Sequence, residues 1–287
     1  MSIFYVNGAY VPESEATLSV RDLSVLRGYG AFDYLRTYGK QPFRLDKNLE
    51  RLRRSCDILE MRYPWTDAEL ADIVIETLAR NVALHDADEY SIRLVVTGGI
   101  SASNITPDSD PSLVVLVQPF TPLPDTLYNE GAMVITVDLN RLFPTAKSTL
   151  YTPAILAQRR AREQGAIEAL YKDAEGNILE ATTSNFFVII DGALVTPPTG
   201  DNILPGITRM TTLELAQDVF DVQVRPLAYD EVLNADEAFL TSSNKEILPI
   251  VQVDAHTIGD GTVGEGTQTL LARFRDLTQK RAQGQPV

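Results

Sequence analysis

Hydrophobic and polar positions form short runs near the start of the chain and recur at helical spacing further on. Residues 3–6 and 9–11 are largely apolar runs on either side of Asn7-Gly8, a pair typical of tight β-hairpins. Asp46 precedes an apolar stripe with the spacing of one helical face, and the residues from Thr66 to Glu69 are typical of a capping box. Strands are also predicted at 91–97 and 112–117. The pattern therefore predicts a small N-terminal sheet that carries two helices.

A proline-rich stretch separates this part from the rest, because three prolines between Pro119 and Pro124 can continue neither a helix nor a central strand. We therefore predict domains at 1–118 and 126–287, joined by a linker at 119–125. The turns 173–176 and 191–192 join short strands, which favours antiparallel pairing. The elements predicted here are strands at 133–137, 169–172, 178–180, 185–190, 193–196 and 238–240, and helices at 153–164, 208–220 and 266–281. The whole chain predicts two α+β domains with a site in the cleft between them.

Composition and net charge exclude several classes of function but add little to the prediction of the fold. With 44% hydrophobic and 22% charged residues, the chain has the composition of a globular protein. A net charge of −14 would repel a phosphate backbone, so nucleic acid is not the expected partner. Cys56 and two histidines cannot form a Cys/His metal cluster, and no metal site is expected. The apolar run 113–117 is too short for a membrane span, and we expect a cytoplasmic protein.

Two charged side chains stand out because their neighbours are apolar or small. Lys147 is the only charged residue between Leu142 and Gln158, so its segment is expected to bury the amine. Burial disfavours the ammonium form, as a Schiff-base lysine requires, although a lysine extended over an apolar surface would look the same. Glu180 lies on a predicted strand without an adjacent basic residue. It either meets a cationic partner or is a solvated residue at the strand end.

A third feature is suited to an anion. Gly206 comes just before a predicted helix, and backbone N–H groups at a helix start can bind phosphate, although Thr208 could simply cap that helix. Hydroxyl groups of residues 241–244 and the guanidinium of Arg51 could add donors to the same anion. A lysine, a carboxylate and a phosphate site together match the functional groups of pyridoxal 5′-phosphate.

These residues lie in a chain that resembles the class IV, or fold-type IV, aminotransferases. That family includes branched-chain aminotransferases, D-amino-acid aminotransferases and aminodeoxychorismate lyase. The resemblance runs from Phe4 to Gly264, and its most specific part extends from Glu180 through 184–187 to 204–209. It implies an α+β fold with a small N-terminal α/β domain and a larger C-terminal pseudo-barrel domain. It also implies a homodimer in which partner loops complete each active site.

The resemblance also implies roles for single residues. Lys147 would carry pyridoxal 5′-phosphate as a Schiff base and move the substrate proton. Glu180 would keep the pyridine nitrogen protonated, and Arg51 would bind the phosphate. Tyr151 resembles the tyrosine near the 3′-oxygen of the cofactor, although this alignment needs a one-residue gap after Lys147. The remaining cofactor contacts implied are Gly206, Ile207, Thr208 and Ser243.

Departures from the family patterns bear on the substrate. Branched-chain enzymes usually have tyrosines where this chain has Arg27 and Ser91, and bacillary D-amino-acid enzymes have Arg and His where it has Gly98 and Ile100. Arg27 together with Arg93 resembles a less common group of D-amino-acid transaminases. Two guanidinium groups could bind one substrate carboxylate, although a surface helix residue and a salt-bridged strand residue are the alternatives. The other substrate contacts expected are Phe32, Ser243 and Asn244.

The function expected from the sequence is transfer of an amino group between a D-amino acid, such as D-alanine or D-glutamate, and a 2-oxo acid such as 2-oxoglutarate. The alternatives within the family are an L-branched-chain transaminase and an aminodeoxychorismate lyase. Outside enzymes, the alternative is a noncatalytic protein that still binds the cofactor.

Overall fold

The computed structural model describes residues 1–200 and 202–283, which divide into two compact units. The first unit contains Met1–Thr121, Ala146–Tyr151 and the described chain from Thr278 onward. The second contains Pro122–Thr145 and Thr152–Leu277. The segment around Lys147 therefore folds with the first unit, although it follows the proline-rich stretch in sequence.

The first unit confirms the predicted hairpin and both predicted helices. Its elements are β1 (Ile3–Val6), β2 (Ala9–Pro12), α1 (Leu23–Arg27), β3 (Gly30–Tyr38), β4 (Gln41–Pro42), α2 (Leu45–Ile58), α3 (Asp67–Val82), β5 (Tyr90–Thr97) and β6 (Leu113–Pro119). Asn7 and Gly8 both have positive φ, at 46° and 94°, as a tight hairpin turn requires. Thr66 accepts from the backbone N–H of Glu69, whose side chain accepts from the backbone N–H of Thr66, so the capping box is present.

The strands of this unit form one antiparallel sheet in the order β2-β1-β6-β5-β3-β4. One face of the sheet packs its apolar residues with those of α2 and α3 in a single core. Strand β3, which the sequence analysis did not predict, runs along the sheet beside β5. Cys56 lies in the core, where burial raises the pKa of its thiol to about 12.

The second unit contains most of the strands of the protein. Its elements are α4 (Asp125–Asn129), β7 (Ala132–Asp138), α5 (Thr152–Glu163), β8 (Glu168–Lys172), β9 (Asn177–Ala181), β10 (Asn185–Ile190), β11 (Ala193–Thr196), α6 (Ile207–Ala216), β12 (Asp221–Val224), β13 (Leu227–Ala228), α7 (Tyr229–Leu233), β14 (Glu237–Ser242), β15 (Glu246–Val253), β16 (His256–Thr257) and α8 (Glu265–Ala282). The last residues of α8, from Thr278, group with the first unit.

These strands form a sheet that closes on itself. The order β10-β14-β15-β7-β8-β9 returns to β10 through the pairing of Glu180 with Asn185, which gives the pseudo-barrel. The antiparallel pairing predicted at the turns 173–176 and 191–192 is confirmed, because β8 pairs with β9 and β10 pairs with β11 in that sense. Strand β7, by contrast, pairs in parallel with both β8 and β15. The connection from β7 to β8 includes α5, and a crossover of that length permits parallel neighbours. No helix among the described residues combines the length and apolarity needed to cross a bilayer.

Candidate active site

Backbone hydrogen bonds fix Lys147 against strand β3 in the first unit. The N–H of Phe32 donates to the carbonyl of Lys147 at 2.8 Å, and the N–H of Thr149 donates to the carbonyl of Gly30 at 2.9 Å. A Cβ on Gly30 would lie 3.0 Å from the Thr149 hydroxyl oxygen, so the glycine allows this close approach. The segment of Lys147 is therefore held in register with the sheet.

The same segment is tied to helix α2. The backbone N–H of Lys147 donates to Oγ of Ser55 at 3.0 Å, and that hydroxyl donates to the carbonyl of Arg51 at 2.8 Å. Nε and Nη2 of Arg51 make two hydrogen bonds of 2.8 Å with the carboxylate of Asp33, a fully buried residue. Lys147 and Arg51 are thus brought into one region, and Arg51 has a carboxylate partner that the sequence analysis missed. Asp33 was missed because it lies on strand β3, which was not predicted.

The ring of Phe32 brings three further predicted residues together. Nζ of Lys147 lies 4.8 Å from the centre of the ring, and Cζ of Arg93 lies 5.5 Å from it. The ring of Tyr151 meets Phe32 edge to face, with 5.5 Å between the ring centres. Arg93 is an exposed residue of β5, and its guanidinium also lies 5.6 Å from the ring centre of Tyr34. A primary amine, a guanidinium and a phenol therefore surround one aromatic ring.

Arg27 is not part of that arrangement. It is the exposed last residue of α1, and its Nη1 donates to the carbonyl of Leu26 at 3.0 Å. In the part of the chain that the structure describes, the cations beside the Phe32 ring are Arg93 and Lys147, and Arg27 is not among them. Its predicted role in binding a substrate carboxylate stays a prediction.

Glu180 lies in β9 of the second unit and is only 4% exposed, so the solvated alternative is wrong. Its Oε1 accepts from Arg141 at 2.7 Å. Its Oε2 accepts from the backbone N–H of Leu204 at 3.1 Å and from Nδ2 of Asn185 at 3.3 Å. Arg141 is thus the cationic partner that the apolar surroundings of Glu180 required. Sequence could not identify it, because the two residues are 39 positions apart.

Helix α6 begins at the predicted anion site. Gly206 is the N-cap residue and has no side chain to cap the first turn, and Thr208 lies inside the helix, so the N-cap alternative for Thr208 is wrong. A Cβ on Gly206 would overlap Oδ1 of Asn185, which makes the glycine necessary. Burial lowers the pKa of Arg209 to about 10, although the charge of Glu180 opposes this shift. Ile207, Thr208 and Arg209 are all buried at this helix start.

The turn between β14 and β15 carries Ser243 and Asn244, both half-buried. The amide oxygen of Asn244 accepts from the hydroxyl of Ser242 at 2.9 Å, so the turn is ordered by its own side chains. Oγ1 of Thr241, just before the turn, is buried and has no hydrogen-bond partner among residues 1–200 and 202–283. An uncapped helix start and an unsatisfied hydroxyl are features that a phosphate group fits.

The comparisons with known proteins agree with this chemistry. A sequence model described as amino-transferase class IV matches residues 30–253. A Methanocaldococcus jannaschii protein named "Putative branched-chain-amino-acid aminotransferase" is 36% identical, with 96% of each chain covered. A D-alanine aminotransferase of Staphylococcus haemolyticus is 28% identical over 98% of this chain and 100% of its own.

Solved structures give the same result. The branched-chain aminotransferase of the thermophilic archaeon Thermoproteus uzoniensis, in a crystal structure with norvaline, superposes with a TM-score of 0.87. It is 31% identical, and the match covers 98% of this chain and 95% of the other. The two-unit fold with its closed sheet, the family match and these relatives together show that the chain belongs to the class IV aminotransferases.

Proposed function

We propose that this protein is a pyridoxal-phosphate-dependent transaminase that moves an amino group from a D-amino acid, such as D-alanine or D-glutamate, to a 2-oxo acid such as 2-oxoglutarate. The observation that carries the proposal is the approach of Lys147 and Arg93 to the same ring, that of Phe32. The amino group and the carboxylate of an amino acid are attached to one carbon. A cation that binds the carboxylate must therefore lie close to the lysine that serves the amino group.

Pyridoxal 5′-phosphate, when bound, supplies an electron sink for the Cα of the substrate. Lys147 holds the cofactor and moves the proton of the substrate Cα through its Nζ. Glu180 holds a proton on the ring nitrogen, because a buried carboxylate favours a positive charge beside it. Arg51, the start of α6 and Ser243 bind the phosphate.

The substrate residues act by charge and shape. Arg93 binds the α-carboxylate, and Arg27 is assigned to the same carboxylate. The ring of Phe32 offers an apolar face beside the reacting amine, which limits the access of water to it. Tyr151, whose ring meets that of Phe32 edge to face, is assigned to the 3′-oxygen of the cofactor. We further propose that the protein works as a homodimer.

A second candidate is an L-branched-chain transaminase. It is favoured by the relative from Methanocaldococcus jannaschii and by the structure from Thermoproteus uzoniensis, whose names assign them that activity. Against it stand Arg27 and Ser91, at positions where the family's branched-chain enzymes usually have tyrosine. An arginine at such a position supplies a positive charge for the α-carboxylate, which a neutral tyrosine does not.

The two candidates differ in the effect of removing the arginines. We expect Arg93→Ala and Arg27→Ala each to lower kcat/KM for D-alanine and D-glutamate by at least about tenfold, which corresponds to about 1.4 kcal/mol. Both substrates present the same α-carboxylate, so the loss should be similar for both. The binding of the cofactor should not change.

Arg53→Ala is the matched control, since the exposed side chain of Arg53 pairs with Asp67 on the surface of the same unit. It should leave kcat/KM within about twofold, as is common for an exposed ion pair. If Arg93→Ala and Arg27→Ala both keep kcat/KM for D-amino acids within about threefold, the carboxylate assignment is wrong and the branched-chain candidate is favoured.

A further inference from the structure

A buried ion pair that the proposed chemistry does not use lies in the second unit. Lys245 is 5% exposed and Glu168 is 1% exposed, and Nζ of Lys245 contacts Oε1 of Glu168. The lysine also donates to the hydroxyl of Thr183 at 3.0 Å. Its sequence neighbours Asn244 and Glu246 are polar, so its burial was not predicted.

The carboxylate of Glu168 is saturated with donors. It accepts from the N–H of Thr183 at 2.9 Å, from the hydroxyl of Thr183 at 2.5 Å and from the hydroxyl of Ser184 at 2.9 Å. The hydroxyl of Thr182 lies 3.0 Å from Oε2. Burial alone would raise the pKa of Glu168, but the ammonium of Lys245 and the donors of Thr183 outweigh it and lower the pKa. The ionised carboxylate of Glu168 therefore holds the turn 182–184 in place through these hydrogen bonds.

That turn belongs to the hairpin that carries Glu180. Glu180 precedes it in β9 and Asn185 follows it in β10, and the two residues are paired where the sheet closes. Asn185 in turn contacts both Glu180 and the carbonyl of Leu204. A displacement of the turn would therefore move the carboxylate proposed to face the pyridine nitrogen.

Lys245 belongs to the other turn, which carries Ser243 and Asn244. The far side of that turn is held by two contacts: the hydroxyl of Tyr128 donates to the carbonyl of Lys245 at 3.0 Å, and Arg275 pairs with Glu246 at 2.9 Å. Glu246 has a φ of 55°, in the left-handed region that favours glycine. The turn thus adopts a costly backbone conformation, and specific side-chain contacts hold it there.

A contribution to stability does not by itself explain why Lys245 and Glu168 form a buried ion pair, since apolar residues of similar volume often stabilise a core equally well. What the pair does is join the turn at 182–184 to the turn at 242–245. We propose that Lys245 and Glu168 are positioning residues that set the phosphate-contacting turn relative to the Glu180 hairpin. This inference rests on the proposed function, in which Ser243 contacts the phosphate of the cofactor.

The test compares the binding of pyridoxal 5′-phosphate with that of pyridoxal, which lacks the phosphate. Lys245→Met is the first variant, because Glu168 keeps its hydroxyl and amide donors when the ammonium is lost. We expect Kd for pyridoxal 5′-phosphate, measured by absorbance titration of the cofactor-free full chain, to rise about tenfold. Kd for pyridoxal should stay within about twofold. Thermal melting of each variant checks that it is folded.

Lys172→Met is the matched control, since Lys172 pairs with the exposed Asp138 in the same unit and is expected to change neither affinity. Should Lys245→Met fail to fold, the double variant Glu168→Gln with Lys245→Met removes both buried charges and takes its place. Equal losses for both ligands, or no loss for either, would overturn the positioning role. If the unaltered protein itself binds pyridoxal as tightly as pyridoxal 5′-phosphate, the proposed phosphate site has failed instead.

Discussion

At the scale of single residues, ion pairs hold two buried carboxylates of this protein. Arg51 faces Asp33 in the first unit, and Glu180 faces Arg141 in the second. Such pairing lets ionised groups stay in a core, because an unpaired buried charge would cost several kcal/mol. Lys147 is half-buried, and its Nζ lies 4.8 Å from the centre of the Phe32 ring.

The covalent role of Lys147 can be tested without measuring activity. After incubation with pyridoxal 5′-phosphate and reduction with borohydride, we expect mass spectrometry to find the reduced cofactor on Lys147. Lys147→Ala should carry no such label and should lose turnover, because the nucleophilic amine is gone. Lys172→Ala, which alters an ion pair near the surface, should be labelled like the unaltered protein. Full labelling of Lys147→Ala at another lysine would refute the assignment.

At the scale of elements, the capping box in the first turn of α3 contributes to the free energy of unfolding, and this contribution can be measured separately. The capping box of Thr66 and Glu69 satisfies N–H groups that the helix leaves unpaired. We expect Thr66→Ala to lower the free energy of unfolding by about 1 kcal/mol, measured by denaturant titration. Thr66→Ser keeps a hydroxyl acceptor and should retain most of the stability. Equal losses in the two variants would show that the cap is not the cause.

The sequence predicts those parts of the fold that depend on neighbouring residues, and it misses those that depend on residues far apart along the chain. The hairpin at Asn7-Gly8 and the capped helix α3 are confirmed, because neighbouring residues determine them. Strand β3 was not predicted from the sequence. Two of its core-facing positions, Asp33 and Thr37, are polar and break the apolar alternation that indicates a strand. The buried aspartate is tolerated only through Arg51, a partner on another element.

The residues of the candidate site also divide into those that local sequence reveals and those that it does not. Lys147 and Glu180 stand out in sequence because their neighbours are uncharged and either apolar or small. Arg141 and Glu168 do not, since each acts on a residue far away along the chain. The parallel pairings of β7 with β8 and of β11 with β12 were not predicted, because long connections that contain α5 and α6 join these strands, and no local turn signal indicates which strands they bring together.

At the scale of the whole molecule, the net charge of −14 opposes the approach of anionic amino acids and of a phosphate group. At physiological ionic strength this field is screened within about 8 Å, so a few local donors can overcome it. We assign this role to Arg51 and Arg93 in the first unit and to the start of α6 in the second, as part of the proposed function. The closed sheet fixes Glu180 at the pairing that completes the ring of strands.

The central claim is that the protein is a transaminase for D-amino acids, and the preference for one enantiomer tests it most directly. The unaltered protein, loaded with pyridoxal 5′-phosphate, is mixed with D-alanine, L-alanine, D-glutamate, L-glutamate or L-leucine, and the change in cofactor absorbance is followed over a single turnover. We predict that D-alanine and D-glutamate react at least about tenfold faster than their L-enantiomers and than L-leucine, a difference of about 1.4 kcal/mol. A faster reaction with L-leucine would contradict the claim and favour the branched-chain activity.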